Sequence, residues 1–228
     1  MNHDELVLWA YENAEVIATS LGKTPDPTTG LALVNRRIAE YENHYHTLKS
    51  QLAIGETCRR GAGVYVREGG YNSAEHEIAV VQAMLAPDQV RASFDPNQPP
   101  VVEIEKIIEM PVFADGPRYI DLALMVTGTK TVPAPYGYGE LAAEAVYGYQ
   151  LLLEIKPKIT SMGDLVRQLR LYQKSSISYE RHAGVYPLAY EHEHRSVCVV
   201  SPDTRFKAVI EEQGFPFVIP PLGQKSLF

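Results

Sequence analysis

Hydrophobic positions recur at two different periods along the chain. Over residues 4–20, Leu6, Trp9, Ala10, Asn13, Val16 and Ile17 lie near one face at helical spacing. The spacing predicts a helix that Leu21-Gly22 ends and Pro25-Asp26-Pro27 stops from continuing. A second stripe, Leu33, Val34, Ile38, Tyr41, Tyr45, Leu48 and Leu52, predicts a helix over about 29–53, so residues 1–60 read as an N-terminal helical hairpin. Past Gly61, Gly63, Gly69 and Gly70, residues 73–86 read as a short apolar helix. Pro87, Pro96, Pro99 and Pro100 mark 87–100 as a loop. The pattern then shortens to that of strands, predicted at 101–109, 118–126 and 148–156, with 129–146 as an inserted hairpin or short helix. Met162, Leu165, Val166, Leu169 and Tyr172 predict a helix over 161–174, opened by Ser161 and Asp164 in a pattern close to a capping box. A strand at 196–201, a helix at 203–213 and a short strand at 215–219 complete the chain. The order α-β-β-β-α-β-α-β over 61–228 predicts an α/β core, a central sheet flanked by helices.

Composition narrows the function classes. The chain has 228 residues, enough to bury one large core, and 45% of them are hydrophobic, as in ordinary globular domains. The net charge of −7 excludes binding of nucleic acid by bulk positive charge and leaves room for a local basic groove. Cys58 and Cys198 stand far apart with no C-x-x-C, which argues against a zinc knuckle or a disulfide scaffold. No apolar run approaches the ~18 residues of a membrane span, and the polar start Met1-Asn2-His3-Asp4-Glu5 does not read as a secretory signal. A cytoplasmic protein without a membrane partner is the expectation.

Three charged residues interrupt apolar strands. Asp121 stands within Ile120-Leu122-Ala123-Leu124, and Glu154 and Lys156 follow Leu151-Leu152-Leu153. Strand side chains alternate, so Glu154 and Lys156 share a face, while Leu153 and Ile155 point to the opposite, helix-covered one. Half-buried carboxylates require cations. Two of them suit a hard divalent ion such as Mg²⁺, which polarises a phosphoryl oxygen and lowers the pKa of water. A lysine on the same face orients the attacking water or stabilises the charge that develops on the phosphate. An Asp in one strand and a Glu-x-Lys in the next thus point to phosphodiester hydrolysis, although a Glu and a Lys also commonly end a solvated edge strand.

The run Tyr119-Ile120-Asp121-Leu122 with Leu153-Glu154-Ile155-Lys156, on an α-β-β-β-α-β order from residue 73 to about 201, resembles the PD-(D/E)-x-K nuclease superfamily. The resemblance implies a restriction-endonuclease-like mixed sheet and a Mg²⁺-dependent deoxyribonuclease, with Mn²⁺ as a substitute and an endonuclease favoured over an exonuclease. It implies Asp121 and Glu154 as metal ligands together with the Ile155 carbonyl, and Lys156 as the residue that orients water. Glu77, on a stripe with Ala74, Val81 and Met84, is the candidate third acid, since Glu75 reads as the partner of an N-cap at Asn72. Gln168, one turn before Tyr172 in Gln-Leu-Arg-Leu-Tyr, matches the polar residue that many members carry on the next helix and is expected to position Lys156 or the scissile phosphate. Ile120 stands where the motif often has proline, and the segment 129–146 lengthens the usual gap between Asp and Glu.

Other features have two readings each. Residues 151–175 carry five Lys or Arg against two acids, and Lys158, Arg167, Arg170 and Lys174 are candidate DNA contacts or a solvated helix face. Arg59 and Arg60 are a second possible phosphate contact. Tyr136, Tyr138, Tyr147 and Tyr149 suit either base stacking or the packing of a hairpin. Glu191-His192-Glu193-His194 reads as a solvated loop rather than a zinc site, and His44 and His46, two apart on a helix, do not face each other. A homodimer fits an enzyme that cuts both strands. The rival to catalysis is a nuclease-like fold that serves only as a binding or assembly module.

Overall fold

The chain enters its first helix, α1 (His3–Glu12), through a capping box. The Asn2 side chain accepts from the Glu5 N–H at 2.9 Å, and the Glu5 carboxylate accepts from the Asn2 N–H at 2.8 Å. Asn13 ends it as the C-cap: its backbone N–H and its side-chain amide both donate to the Trp9 carbonyl, at 3.0 and 2.8 Å. The single helix expected over 4–20 is therefore two, with α2 (Ala14–Ser20) following directly. The computed structural model describes residues 1–61, 84–92, 95, 98–113, 116–133, 141–175 and 194–221, with side chains except at 51–61 and 117.

Five strands form one sheet in the order β1 (Val101–Phe113), β2 (Pro117–Pro133), β3 (Leu141–Ile155), β4 (Arg195–Val200) and β5 (Phe217–Val218). β3 runs parallel to β4, with Glu154 opposite Val199, and β4 parallel to β5. The connections β1–β2 and β2–β3 are too short for parallel crossovers, so these neighbours are hairpins and the sheet is mixed. β1, β2 and the start of β3 outrun their predicted limits, whereas β4 keeps its predicted length and β5 is shorter. The ends of 129–146 are continuations of β2 and β3, as the hairpin reading expected.

Both faces of the sheet are covered. On one, Leu6, Ala10, Ala14 and Ile17 of α1 and α2 pack on Leu122, Leu124, Leu151, Leu153 and Ile155. On the other, Leu165, Leu169 and Tyr172 of α3, the helix Met162–Lys174, and Ile210 of α4, the helix Lys207–Glu212, pack on Met110, Ile120, Ala123, Leu152 and Val197. Ser161 caps α3 by accepting from the Asp164 N–H at 3.4 Å, while the Asp164 carboxylate takes Arg167 at 2.9 Å. A 3₁₀ turn, Thr204–Phe206, precedes α4.

Two strands break their alternation. Ile107 and Met110 pack on the same face although three residues apart, and between them Glu109 takes φ 51°, the left-handed region. Ile120 and Leu122 pack on opposite faces although two apart, so the alternation of β2 is interrupted at Asp121.

The chain divides into two compact units. One is Met1–Pro25, Val101–Gly128 and Tyr147–Phe228; the other is Asp26–Pro100 and Thr129–Val146. This cuts the chain differently from a boundary at residue 60: α1 and α2 belong with the sheet because their apolar stripe has the sheet as its partner. The second unit holds the long helix Leu31–Gly61 and the short helix Pro87–Ala92. The latter corrects the loop expected over 87–100, since Pro87 occupies the first helical position, where a missing N–H is harmless. Tyr41, Tyr45, Met84 and Val90 form this unit's apolar cluster, and Arg37 grips Glu144 through two bonds of 2.8 and 2.7 Å. Residues 62–83 lie outside the described residues, and with them Glu77 and most of the helix predicted over 73–86; its expected end, Met84-Leu85-Ala86, is not helical. Among the described residues no helix is long and apolar enough to cross a membrane.

Candidate active site

Glu154 ends the apolar run of β3 with its side chain on the α3 side of the sheet, and it is 1% exposed. The face of Glu154 is thus helix-covered as well as that of Leu153 and Ile155. Lys156 follows the strand, its N–H donating to the Val200 carbonyl at 3.0 Å, and its ammonium pairs with Glu154 Oε1. Gln168 of α3 donates to the same oxygen at 2.9 Å and to the Tyr172 hydroxyl at 2.6 Å. Tyr172 in turn donates to the Tyr119 carbonyl on β2 at 3.1 Å. One oxygen of Glu154 thus anchors a chain of bonds from β3 through α3 to β2. The other, Oε2, is buried and has no hydrogen-bond partner among the described residues.

Asp121 reaches the same strand end by another route. Its Oδ2 accepts from the Ile155 N–H at 2.7 Å, and its Oδ1 lies 3.3 Å from His3 Nε2, at the start of α1. The interrupted alternation of β2 is what frees this carboxylate to turn along the sheet toward β3. Burial, and next the Asp121 charge, push Glu154 above the usual glutamate range, against the opposing pull of Lys156. Burial, and then the Glu154 charge, raise Tyr172 to about 12, which keeps its hydroxyl a donor.

Asp121, Glu154, Ile155, Lys156 and Gln168 therefore come together. Lys158 lies on the wall of an adjacent cavity with Lys156 and Gln168. The other basic candidates have partners or solvent: Arg167 pairs with Asp164, Arg170 donates to the Gln213 side chain at 2.6 Å, and Lys174 is exposed in the last turn of α3. Tyr149 is buried and shares a 2.7 Å hydrogen bond with Ser196, and its ring stacks on Tyr147, so the packing reading applies to it. Glu77, Tyr136, Tyr138 and His192 lie outside the described residues, as do the side chains of Arg59 and Arg60. His3 was not singled out from the sequence. It stands at a chain end among polar residues, and only the docking of α1 on the sheet carries it to Asp121.

The donor set can be tested against a divalent cation. Among the described residues no three of His, Cys, Asp and Glu gather as a metal-holding group. What the site offers is a buried carboxylate pushed up by the charge of its neighbour Asp121, and one buried carboxylate oxygen without a donor among the described residues. Both features fit a hard cation, which supplies the missing partner and offsets the repulsion. The all-oxygen character favours Mg²⁺ or Mn²⁺ over softer metals. Comparison of the chain with protein-family models, with curated proteins and with solved structures finds no match.

Proposed function

We propose that the protein is a metal-dependent nuclease of the PD-(D/E)-x-K type, with a restriction-endonuclease-like fold, hydrolysing phosphodiester bonds in DNA. The observation that carries the reading is the buried, unpartnered Oε2 of Glu154 beside Asp121, in a carboxylate whose other oxygen already holds Lys156 and Gln168. An unpaired buried carboxylate oxygen costs about 1–3 kcal/mol or more, a penalty that folding alone gives no reason to retain.

In this reading Asp121 and Glu154 hold Mg²⁺ or Mn²⁺, with the Ile155 carbonyl as a further ligand and Glu77 as a candidate third acid. The ion supplies Lewis-acid polarisation of the phosphoryl oxygen and eases deprotonation of water. Lys156 orients the attacking water and balances charge on the phosphate. Gln168 fixes the Glu154 carboxylate, and through Tyr172 ties it to β2. His3 holds the second oxygen of Asp121. Endonuclease action is favoured over exonuclease action, and a homodimer would present two such centres to a duplex.

A second reading, a nuclease-like module that binds without cutting, is favoured by one observation: both oxygens of Asp121 are already engaged, by Ile155 and His3. A cleavage assay with Mg²⁺ or Mn²⁺ on linear, circular, single-stranded and branched DNA separates the two. We expect cation-dependent cutting that Asp121→Ala and Lys156→Ala each reduce at least a hundredfold while thermal unfolding stays cooperative. Full activity in folded Lys156→Ala would overturn the mechanism, and no cleavage of any substrate would leave the binding module.

A further inference from the structure

We propose that the cavity beside Lys156 is a phosphate subsite, which holds a backbone phosphate next to the one cleaved. The proposal rests on the nuclease reading and adds to it where the neighbouring part of the substrate lies. The cavity measures about 160 Å³, roughly ten times the 10–15 Å³ that one water needs. Lys156, Lys158, Thr160, Ser161, Asp164 and Gln168 line it. Neither Asp121 nor Glu154 does, so the cavity is a neighbour of the candidate cleavage centre and not the centre itself. Lys156 and Gln168 belong to both and join them.

The charge of the wall suits an anion. Lys158 makes no ion pair among the described residues, so its ammonium is available to a ligand. The Asp164 carboxylate is paired with Arg167 at 2.9 Å. Lys156 is paired with Glu154, so Lys158 carries the positive charge of the wall, and Thr160 and Ser161 bring hydroxyls.

The wall is also held more firmly than a plain connection requires. Asp203 Oδ2 accepts from the Ile159 N–H at 3.0 Å, and Arg205 Nη2 donates to the Ile159 carbonyl at 3.2 Å. The two side chains grip each other at 2.6 and 2.8 Å. One ion pair thus satisfies both backbone groups of the residue between Lys158 and Thr160, and the Ile159 side chain is buried in the core. The backbone that carries both lysines is fixed before any ligand arrives, which spares the ordering cost of binding. A phosphate held this way is recognised whatever the base, and equally in ground and transition states, so it acts on KM and not on kcat.

The test uses the full chain and duplex oligonucleotides in which one phosphate at a time is replaced by an uncharged methylphosphonate. Cleavage is read with Mg²⁺, and Kd by fluorescence anisotropy in EDTA. Neutralising one phosphate within two nucleotides of the cleaved bond should raise KM and Kd about tenfold with kcat unchanged. In Lys158→Met that same neutralisation should add less than twofold, other positions should keep their effect, and the salt slope of log Kd should fall by about one. Asp203→Asn, checked for folding by thermal unfolding, should weaken the same coupling and no other. If Lys158→Met keeps the full sensitivity at every position, the subsite is overturned even where the enzyme cuts. If coupling appears in Kd but nothing is cleaved, the nuclease reading falls and the anion site stands. Absence of any DNA binding overturns both.

Discussion

At the scale of single residues, Glu154 sets stability against function. Its buried, charged carboxylate has one oxygen with two donors and one with none. Glu154→Gln keeps an acceptor for Gln168 and removes the buried charge, and Lys156, a third exposed, is solvated without its partner. We expect this variant to unfold at higher denaturant by about 1–3 kcal/mol, to lose cleavage, and to show no rise in Tm on adding Mg²⁺, whereas the wild type should show one. Equal or lower stability would mean that the buried carboxylate charge costs the fold nothing. Glu109 is a second such residue, an exposed side chain in the left-handed region, where glycine alone is unstrained. Glu109→Gly should therefore raise the free energy of unfolding, read in urea, by about 0.5–1 kcal/mol in spite of the freer unfolded chain.

At the scale of elements, some signals were readable and some were not. The α3 stripe and its Ser161 cap follow from residue types at helical spacing, and the helix forms where they predict it, with Leu165, Leu169 and Tyr172 buried. The break at Asn13 was hidden because Asn13 falls on the apolar side of a continuous stripe, and its side-chain bond to the Trp9 carbonyl leaves no mark on periodicity. The helix at Pro87 was hidden by reading proline as a stop when it can equally stand first. The turn before the helix Leu31–Gly61 supplies a sharp test. Gly30 has φ 81°, and a Cβ there would lie 2.5 Å from the Val146 Cβ. Gly30→Ala meets both the strained backbone and the collision, and should destabilise the protein by about 3 kcal/mol, read as a lower Tm.

At the scale of the whole molecule, Asp203, which holds the segment linking β3 to α3, contributes stability that depends on pH. Asp203 is held well below the ordinary aspartate range, first by its bonds to Arg205 and then by the Ile159 N–H. A carboxylate so depressed binds fewer protons in the folded than in the unfolded chain. Its contribution is therefore complete above the unfolded value of about 3.9 and is lost as pH falls below it. Thermal unfolding from pH 6 to pH 2 should show Tm falling on the acid side, with a shallower fall in Asp203→Asn. An unchanged acid limb would place the acid sensitivity elsewhere.

The chemistry-bearing residues were legible because charge inside an apolar strand is conspicuous in one dimension. Asp121, Glu154 and Lys156 announce themselves against Ile120, Leu153 and Ile155, and the amphipathic stripes decide which faces must be buried. Local pattern determined this much: a mixed α/β chain, a Glu-x-Lys at a strand end and a capped helix with Gln168 after it. The tertiary structure alone decided which of these groups meet and how they are satisfied. Burial of α1 on the sheet brings His3 to Asp121, an interrupted alternation turns Asp121 toward Ile155, and the packing of α3 directs Gln168 at Glu154 while leaving Oε2 unpartnered. The physical reason is that hydrophobic periodicity reports only which side of an element is buried, whereas hydrogen bonds and charge pairs depend on distances of about 3 Å between elements far apart in the chain.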